Sequence, residues 1–400
     1  MGFLQIMNGF KPKHFLFLFF VSIIISNSLA AQEVPIVTFS PEKGLNITTS
    51  DGFMSFKIGT RIQQQVFGIV PLDGNQPFDG DLIIRRARAY MSGYIFNQKL
   101  GYFLQLEMDK GNVQLSNAEY RWRPNSETQI NFGQLRPPSG RQFQTISKNL
   151  QMVDRSAVSR FFAVGYDLGI TANTFVGLGN SVGFIVYGGI THGEGINKAK
   201  ASGGLAYTGR VDILPFGKFS NHGDYIESDL YREQTPKLSV GVAFYHNQDA
   251  ATKLGSTAWN NNSASISNFY IDGVFKYKGL FLLGEFIQRT ISDDGILTLP
   301  DNSMIYSSLV GGKGFSFQAG KFLNEELEST IRVTYLDPDD ELRAVKNNFT
   351  EQRKYGVGLN YFFIGHAIKI QSEANLVSEK YATSDEHSYV EILAQFSLSF

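Results

Sequence analysis

The densest grouping of side chains able to bind a ligand lies between positions 135 and 165. Arg136, Arg141, Lys148, Arg155 and Arg160 stand there against a single acid, Asp154. A guanidinium is a planar fork of N–H donors that keeps its charge at any physiological pH, and such forks hold phosphate or carboxylate oxygens two at a time. Two shorter groups repeat the theme: Arg86 and Arg88 at spacing two, sharing a face with Tyr90 and Ser92, and Arg121 and Arg123 sharing one with Glu119. The plain structural alternative is that these arginines pair with acids and stiffen a wall, with Glu107, Asp109 and Glu119 available to do so.

Other chemistry is poorly represented. No Gly-x-Ser-x-Gly opens a helix as a nucleophile elbow does, since the one such spacing, at 179–183, falls in the turn between two strand-like runs, and there is no His-Glu-x-x-His zinc helix. His14, His192, His222, His246, His366 and His387 are scattered without metal-ligand spacing, and no cofactor is implied. Gly177-Leu178-Gly179-Asn180 joins two strand-like runs and opens no helix, so it reads as a hairpin turn and not a phosphate cradle. A Ser-His-Asp site assembled from distant strands stays open, because such sites are spatial. A formal net charge of −1 argues against nucleic acid as a partner, which needs a basic face.

The elements that must position these residues are strands. From Tyr389 to the C-terminus, Val390, Ile392, Ala394, Phe396, Leu398 and Phe400 form one face. Tyr389, Glu391, Leu393, Gln395, Ser397 and Ser399 form the other, with Leu393 the one exception to alternation. Phe56, Ile58, Thr60, Ile62 and Val66 alternate in the same way with Ser55, Lys57, Gly59, Arg61, Gln63 and Gln65. So do Tyr102, Leu104, Leu106 and Met108 with Gly101, Phe103, Gln105, Glu107 and Asp109. Runs this long cross a bilayer as tilted strands, whereas strands of a soluble sandwich are usually about half as long. A Lys or Arg facing lipid near the midplane costs about 2–4 kcal/mol and costs little facing a water-filled interior. Lys57, Arg61, Glu107 and Asp109 therefore point inward. Arg85 falls on the face opposite Arg86, which puts it in the headgroup zone or at a loop base.

Composition agrees. The 400 residues include 34 Phe, 18 Tyr and 40 Gly but no Cys. Aromatics suit pleated surfaces, and an exported chain without disulfides needs another closure, such as a closed strand ladder. Lys11 and Lys13, the apolar run Phe15 to Ile25 and the small-residue stretch Ser28 to Ala31 have the order of a secretory signal, shorter than the roughly 20 residues of a membrane anchor. The expected organisation is a signal peptide at 1–31, a short periplasmic lead-in at 32–52 and a barrel domain at 53–400. Sixteen strands are expected at 53–68, 82–97, 99–110, 113–123, 126–134, 166–178, 180–190, 203–213, 236–246, 265–278, 279–291, 303–320, 326–337, 350–362, 366–378 and 387–400. Short turns such as Asn97-Gln98 and Lys278-Gly279 alternate with longer connections at 69–81, 135–165, 214–235, 247–264, 338–349 and 379–386. The fold class is all-β, a transmembrane antiparallel barrel of an outer membrane.

Several segments then resemble one family. Arg85-Arg86-Ala87-Arg88-Ala89-Tyr90-Met91-Ser92-Gly93 is similar to the RRAR…G signature of the phosphate-selective porin O and P family. In the same order come Asn117-Ala118-Glu119-Tyr120, Gly133-Gln134-Leu135-Arg136-Pro137-Pro138, Val153-Asp154-Arg155-Ser156 and Phe162-Ala163-Val164-Gly165-Tyr166-Asp167-Leu168-Gly169. The resemblance covers about residues 53–190. Where the family reads P-F-S-x-E, this chain has Pro138-Ser139-Gly140-Arg141-Gln142. Phe400 resembles the terminal aromatic by which the barrel assembly machinery recognises its clients. The resemblance implies a passive, non-enzymatic channel for small anions such as phosphate or polyphosphate, set in outer-membrane lipid of a Gram-negative bacterium as a homotrimer. It also implies that the third long loop, 135–165, folds into the lumen, where Arg141, Lys148 and Arg155 set the field, with Arg86, Arg88, Arg121, Arg136 and Arg160 as further pore candidates. The alternatives are a general, unselective porin, a barrel hydrolase and an adhesin.

Overall fold

A computed structural model describes residues 34–42, 44–72, 78–108, 112–179, 182–198, 204–250, 264–292, 296–298, 304–306, 311–339, 349–381 and 386–400. The expected signal peptide and Asp109 lie outside the described residues. Two short strands, β1 (Ile36–Ser40) and β2 (Gly44–Thr48), come first. The chain continues with β3 (Met54–Pro71), β4 (Asp79–Ile95), β5 (Leu100–Glu107), β6 (Gln114–Trp122), β7 (Thr128–Leu135), β8 (Asp167–Leu178), β9 (Val182–Thr191) and β10 (Ala206–Leu214). After these come β11 (Lys237–Ala250), β12 (Ala264–Tyr277), β13 (Leu280–Ile291), β14 (Ile296–Thr298), β15 (Met304–Tyr306) and β16 (Gly312–Phe322). The last are β17 (Leu327–Pro338), β18 (Phe349–Ile364), β19 (Ile368–Tyr381) and β20 (His387–Ser399). Each strand from β3 to β13 and from β16 to β20 pairs antiparallel with its neighbours, and β20 returns to β3 through pairs from Tyr389↔Pro71 to Ser399↔Arg61. The result is a closed sixteen-stranded barrel with no free edge.

Period-two alternation decides which side chain sees which medium. Ile58, Ile62, Val66, Val242, Phe244, Phe315, Phe317, Val357, Ile392 and Phe396 are exposed on the outer surface, while Arg61, Gln63, Gln65, Asp272, Gln318, Asn360 and Gln395 are buried inside. This is the reverse of a soluble sandwich and the polarity a bilayer requires. The wall is uneven: β5, β6 and β7 have 8, 9 and 8 residues, against 18 and 17 in β3 and β4.

The expected spans recur with three differences. Met304-Ile305-Tyr306, merged by sequence into a strand at 303–320, instead pairs with Ile296–Thr298 in a separate hairpin, and β16 starts at Gly312. Residues of the 32–52 lead-in form the β1–β2 hairpin, whose second strand pairs with the start of β3. The third difference concerns 214–235. Connections at the two barrel ends alternate, and the one joining β10 to β11 falls at the end of the short turns, together with Lys278-Gly279. It does not stay outside. Asp224, Glu227, Ser228, Asp229 and Glu233 are buried, and Lys276 Nζ donates to the carbonyls of Ile226 and Ser228 at 2.7 Å each. The lumen is thus entered from both ends.

Candidate functional site

Pro137 and Pro138 have no backbone N–H to extend the sheet beyond β7, and the chain turns inward through short helical segments at Arg141–Gln144 and Ala157–Phe161. Ser156 caps the second, accepting from the Ser159 N–H. Val158, Phe162 and Val164 are fully buried against Tyr245, Tyr270, Ile287 and Leu336, inward residues of β11, β12, β13 and β17. Burial of side chains this size contributes about 1.5–3 kcal/mol each. Those wall positions are apolar where a water-filled lumen would be polar, because the loop lies on them.

Polar contacts fix the rest of the loop. Arg141 donates to Asp272 at 2.6 Å, to Asp212 at 3.1 Å, to Ser239 Oγ at 2.8 Å and to the Asp224 carbonyl at 3.1 Å. Arg210 bonds the same two aspartates, so two cations and two acids form a closed buried group. Burial alone would lower the pKa of Arg141, but Asp272 and Asp212 raise it above the ordinary arginine value. The loop backbone is held from β18 and β19: Lys369 Nζ donates to the Leu150 carbonyl at 2.6 Å, and Asn360 and Gln371 donate to that of Gln151. Glu227, from the segment entering at the other end, accepts from the N–H of Gln151 and from the side-chain amides of Gln142 and Gln318.

Between this loop and β3–β5 lies a concentration of positive charge. Gln63 pairs with Arg86 and Gln64 with Ile84, so Arg85 is the extra residue of a β-bulge. The bulge turns Arg85 into the lumen, correcting the position expected from strict alternation. Arg85 grips Asp154 with Nε and Nη2, both at 3.2 Å, and Arg86 reaches the same carboxylate at 2.9 Å. Burial would raise the Asp154 carboxyl, but Arg86 and Arg85 hold it well below the usual range. Arg88 pairs with Glu107 and donates to Ser147 Oγ, as does Arg61, each at 3.1 Å. Arg136 and Arg155 meet no carboxylate among the described residues. Arg136 donates to the Phe143 carbonyl at 2.9 Å and to Tyr166 Oη at 2.7 Å, its guanidinium 4.9 Å from the Tyr166 ring centre. Arg155 donates to the carbonyls of Gln142 and Thr145. Burial, then Arg136 and Arg86, pull its pKa down, the mark of a cation among cations. Six guanidinium groups (Arg61, Arg85, Arg86, Arg88, Arg136, Arg155) thus share two carboxylates, Asp154 and Glu107.

Arg136 also lines a cavity of about 240 Å³ with Asn131, Gln144, Thr171, Asn173, Tyr187 and Tyr225, between the loop stem and β7–β10.

The closed sixteen-stranded barrel has counterparts among known proteins. The family model described as "Phosphate-selective porin O and P" matches residues 56–398, nearly the whole barrel. The chain belongs to this family. It is a porin, a channel and not an enzyme, of the outer membrane of Gram-negative bacteria. This membership overrides the hydrolase alternative. No curated protein sequence matches it. Among solved structures, the anion-selective porin from Comamonas acidovorans superposes with a TM-score of 0.59 at 11% identity, over 87% of this chain and 100% of that one. The outer membrane channel DcaP of Acinetobacter baumannii gives 0.52 at 11%, over 88% and 99%. OmpF of Salmonella typhi, in complex with daunomycin, gives 0.52 at 10%, over 91% and 100%. At these identities the likeness is one of fold.

The porin distributes its sequence-predicted cations unequally. Arg86, Arg88, Arg136 and Arg155 meet in the cluster. Arg121 stands on the same wall, paired with Glu119 and 4.6 Å from the Phe103 ring centre. Lys148 is half-buried near Arg61 and Lys57, and burial followed by those two charges lowers its pKa. Arg160 is exposed, within the field of Asp154. Arg141 lies against the opposite wall in its group with Asp212 and Asp272, where its charge is neutralised. Arg61, Arg85 and Tyr166 were missed as site residues. The inward face of Arg61 was already evident from alternation, and the bulge that redirects Arg85 was not.

Proposed function

We propose that this porin passes small anions, and that Arg61, Arg85, Arg86, Arg88, Arg136 and Arg155 set its selectivity where the inserted loop narrows the lumen. The observation carrying this is the imbalance of six guanidinium groups over two carboxylates in a part-buried, low-dielectric setting. A narrow aperture strips water from an ion, and fixed forks replace part of that hydration for an anion only. Arg61 adds a specific cue: its buried Nε–H has no acceptor among the described residues, an orphan donor of the kind an anion or water fills. In planar bilayers, added inorganic phosphate should reduce the chloride current, because a divalent anion held by the cluster occupies the path. A current indifferent to phosphate leaves the general-porin reading in place.

The same proposal includes assembly as a homotrimer. Eight residues rising about 3.3 Å each and tilted about 45° reach about 19 Å, short of the roughly 25 Å apolar band of an outer-membrane barrel. The low wall at β5–β7 is better covered by another copy of the chain than by lipid. Native mass spectrometry from mild detergent should give three chains, and a persistent monomer would refute the assembly.

A further inference from the structure

We infer that the cavity beside Arg136 is a subsite for the sugar moiety of a phosphorylated sugar whose phosphate sits on the arginine cluster. This rests on the proposed anion pathway and adds a solute class to it. Three observations carry it.

The first is continuity. Arg136 belongs to both places: its guanidinium lies in the field of Arg155 and Arg61, and it forms part of the cavity lining. A guanidinium has five N–H donors. Arg136 directs Nη1 to loop carbonyls and Nη2 to Tyr166, leaving Nε–H and one Nη2–H without an acceptor among the described residues.

The second is size. The cavity, at about 240 Å³, has room for several waters and so exceeds what a single phosphate fills. An inorganic ion alone would leave most of it filled with solvent.

The third is the lining. Asn173 makes no hydrogen bond through its side chain among the described residues, so its amide offers both donors and an acceptor. Gln144 engages its Nε2 with Pro137 and Ser139, leaving Oε1 free to accept from a hydroxyl. Asn131 donates to Thr171 Oγ1 at 3.1 Å, leaving the Thr171 hydroxyl proton to give. Tyr187, Tyr225 and Pro138 supply apolar surface beside these groups. Amides and hydroxyls interleaved with aromatic surface suit a polyol ring, which has hydroxyls on its rim and C–H groups on its faces. A hydrophobic anion would leave those amides unpaired.

The probes are glucose 6-phosphate, inorganic phosphate and glucose, each titrated against the chloride current of the reconstituted full chain. Glucose 6-phosphate should block at about tenfold lower concentration than inorganic phosphate, the gain of two ordinary hydrogen bonds. Glucose alone should block weakly or not at all. In Asn173→Leu and in Tyr187→Ala, the ratio of the two blocking concentrations should fall toward one. Heat-modifiable gel mobility would check that each variant is folded. Equal block by the two phosphates in the wild type overturns the subsite while leaving the anion pathway standing. A chloride current indifferent to both overturns the pathway and the subsite together.

Discussion

Arg141 tests the division of labour between anchoring and selectivity. Its side chain is 2% exposed and bonded to two aspartates that are themselves fully buried. Substitution Arg141→Gln keeps a polar side chain but leaves Asp212 and Asp272 with Arg210 alone, so a buried negative charge is uncompensated. Removing one partner of such a pair costs about 3–5 kcal/mol, which is roughly two to nearly four powers of ten in the equilibrium between docked and released loop. The remaining anchors resist full release, including the burial of Val158 and Phe162 and the Lys369 bond to Leu150. The expected phenotype is therefore intermittent opening. Single-channel recording of Arg141→Gln should show larger, noisier conductance than wild type, with anion preference largely kept. Limited proteolysis should also find new cleavage within 136–166. A quiet channel of wild-type conductance that has lost its anion preference would refute the reasoning, because it would place Arg141 in the field after all.

The same geometry sets further outcomes. Asp154→Asn removes one of the two carboxylates in the cluster, so anion preference should rise; an unchanged reversal potential would separate the cluster from selectivity. The Asp154 carboxyl sits below its ordinary range, so its pin on Arg85 and Arg86 is fully present above about pH 3.9 and is lost only as pH falls through the lower folded value. Asp154 should accordingly add no pH dependence to anion preference between about pH 5 and 8. At alkaline pH the half-buried Lys148 should discharge below the ordinary lysine value of about 10.4, lowering anion preference, and Lys148→Arg should remove that step. Phe400 exchanges backbone hydrogen bonds with Thr60 at 2.7 and 3.1 Å and turns its ring outward near Phe39. Deleting it or substituting Asp should reduce folded barrel in urea-washed outer membranes more than Ser399→Asp does, and equal yields would remove its assembly role.

Much of the barrel was legible because a bilayer enforces alternation along every strand. One Lys or Arg fixes which face is inward, as Lys57 and Arg61 do for β3. The fold departs from simple alternation where a local rule is overridden. Met304–Tyr306 is apolar and continuous enough to extend a strand, but it pairs with a neighbour within its own connection. Counting strands would have put 214–235 at the short-turn end, although nothing local shows that Glu227 reaches the inserted loop. Arg85 was misassigned because a single bulge residue breaks the alternation at that point of β4. Arg88–Glu107 and Arg121–Glu119 were among the expected pairs, the first facing each other across β4 and β5, the second two positions apart on one face of β6. Arg86 found Asp154 and Arg141 found Asp272, 68 and 131 positions away, and periodicity carries no information about such partners.

Selection of anions by the cluster's excess of positive charge is tested by the reversal potential across a planar bilayer under a salt gradient, comparing wild type with Arg61→Gln, Arg136→Gln and Arg155→Gln combined. None of the three makes an ion pair among the described residues, so the triple variant leaves the pairs of Arg86 with Asp154 and Arg88 with Glu107 in place. The wild type should favour anions, and the triple variant should shift clearly toward cations at similar conductance. The difference should shrink near 1 M salt, where the Debye length is about 3 Å. A wild type without anion preference, or a triple variant with the same reversal potential, would contradict the account.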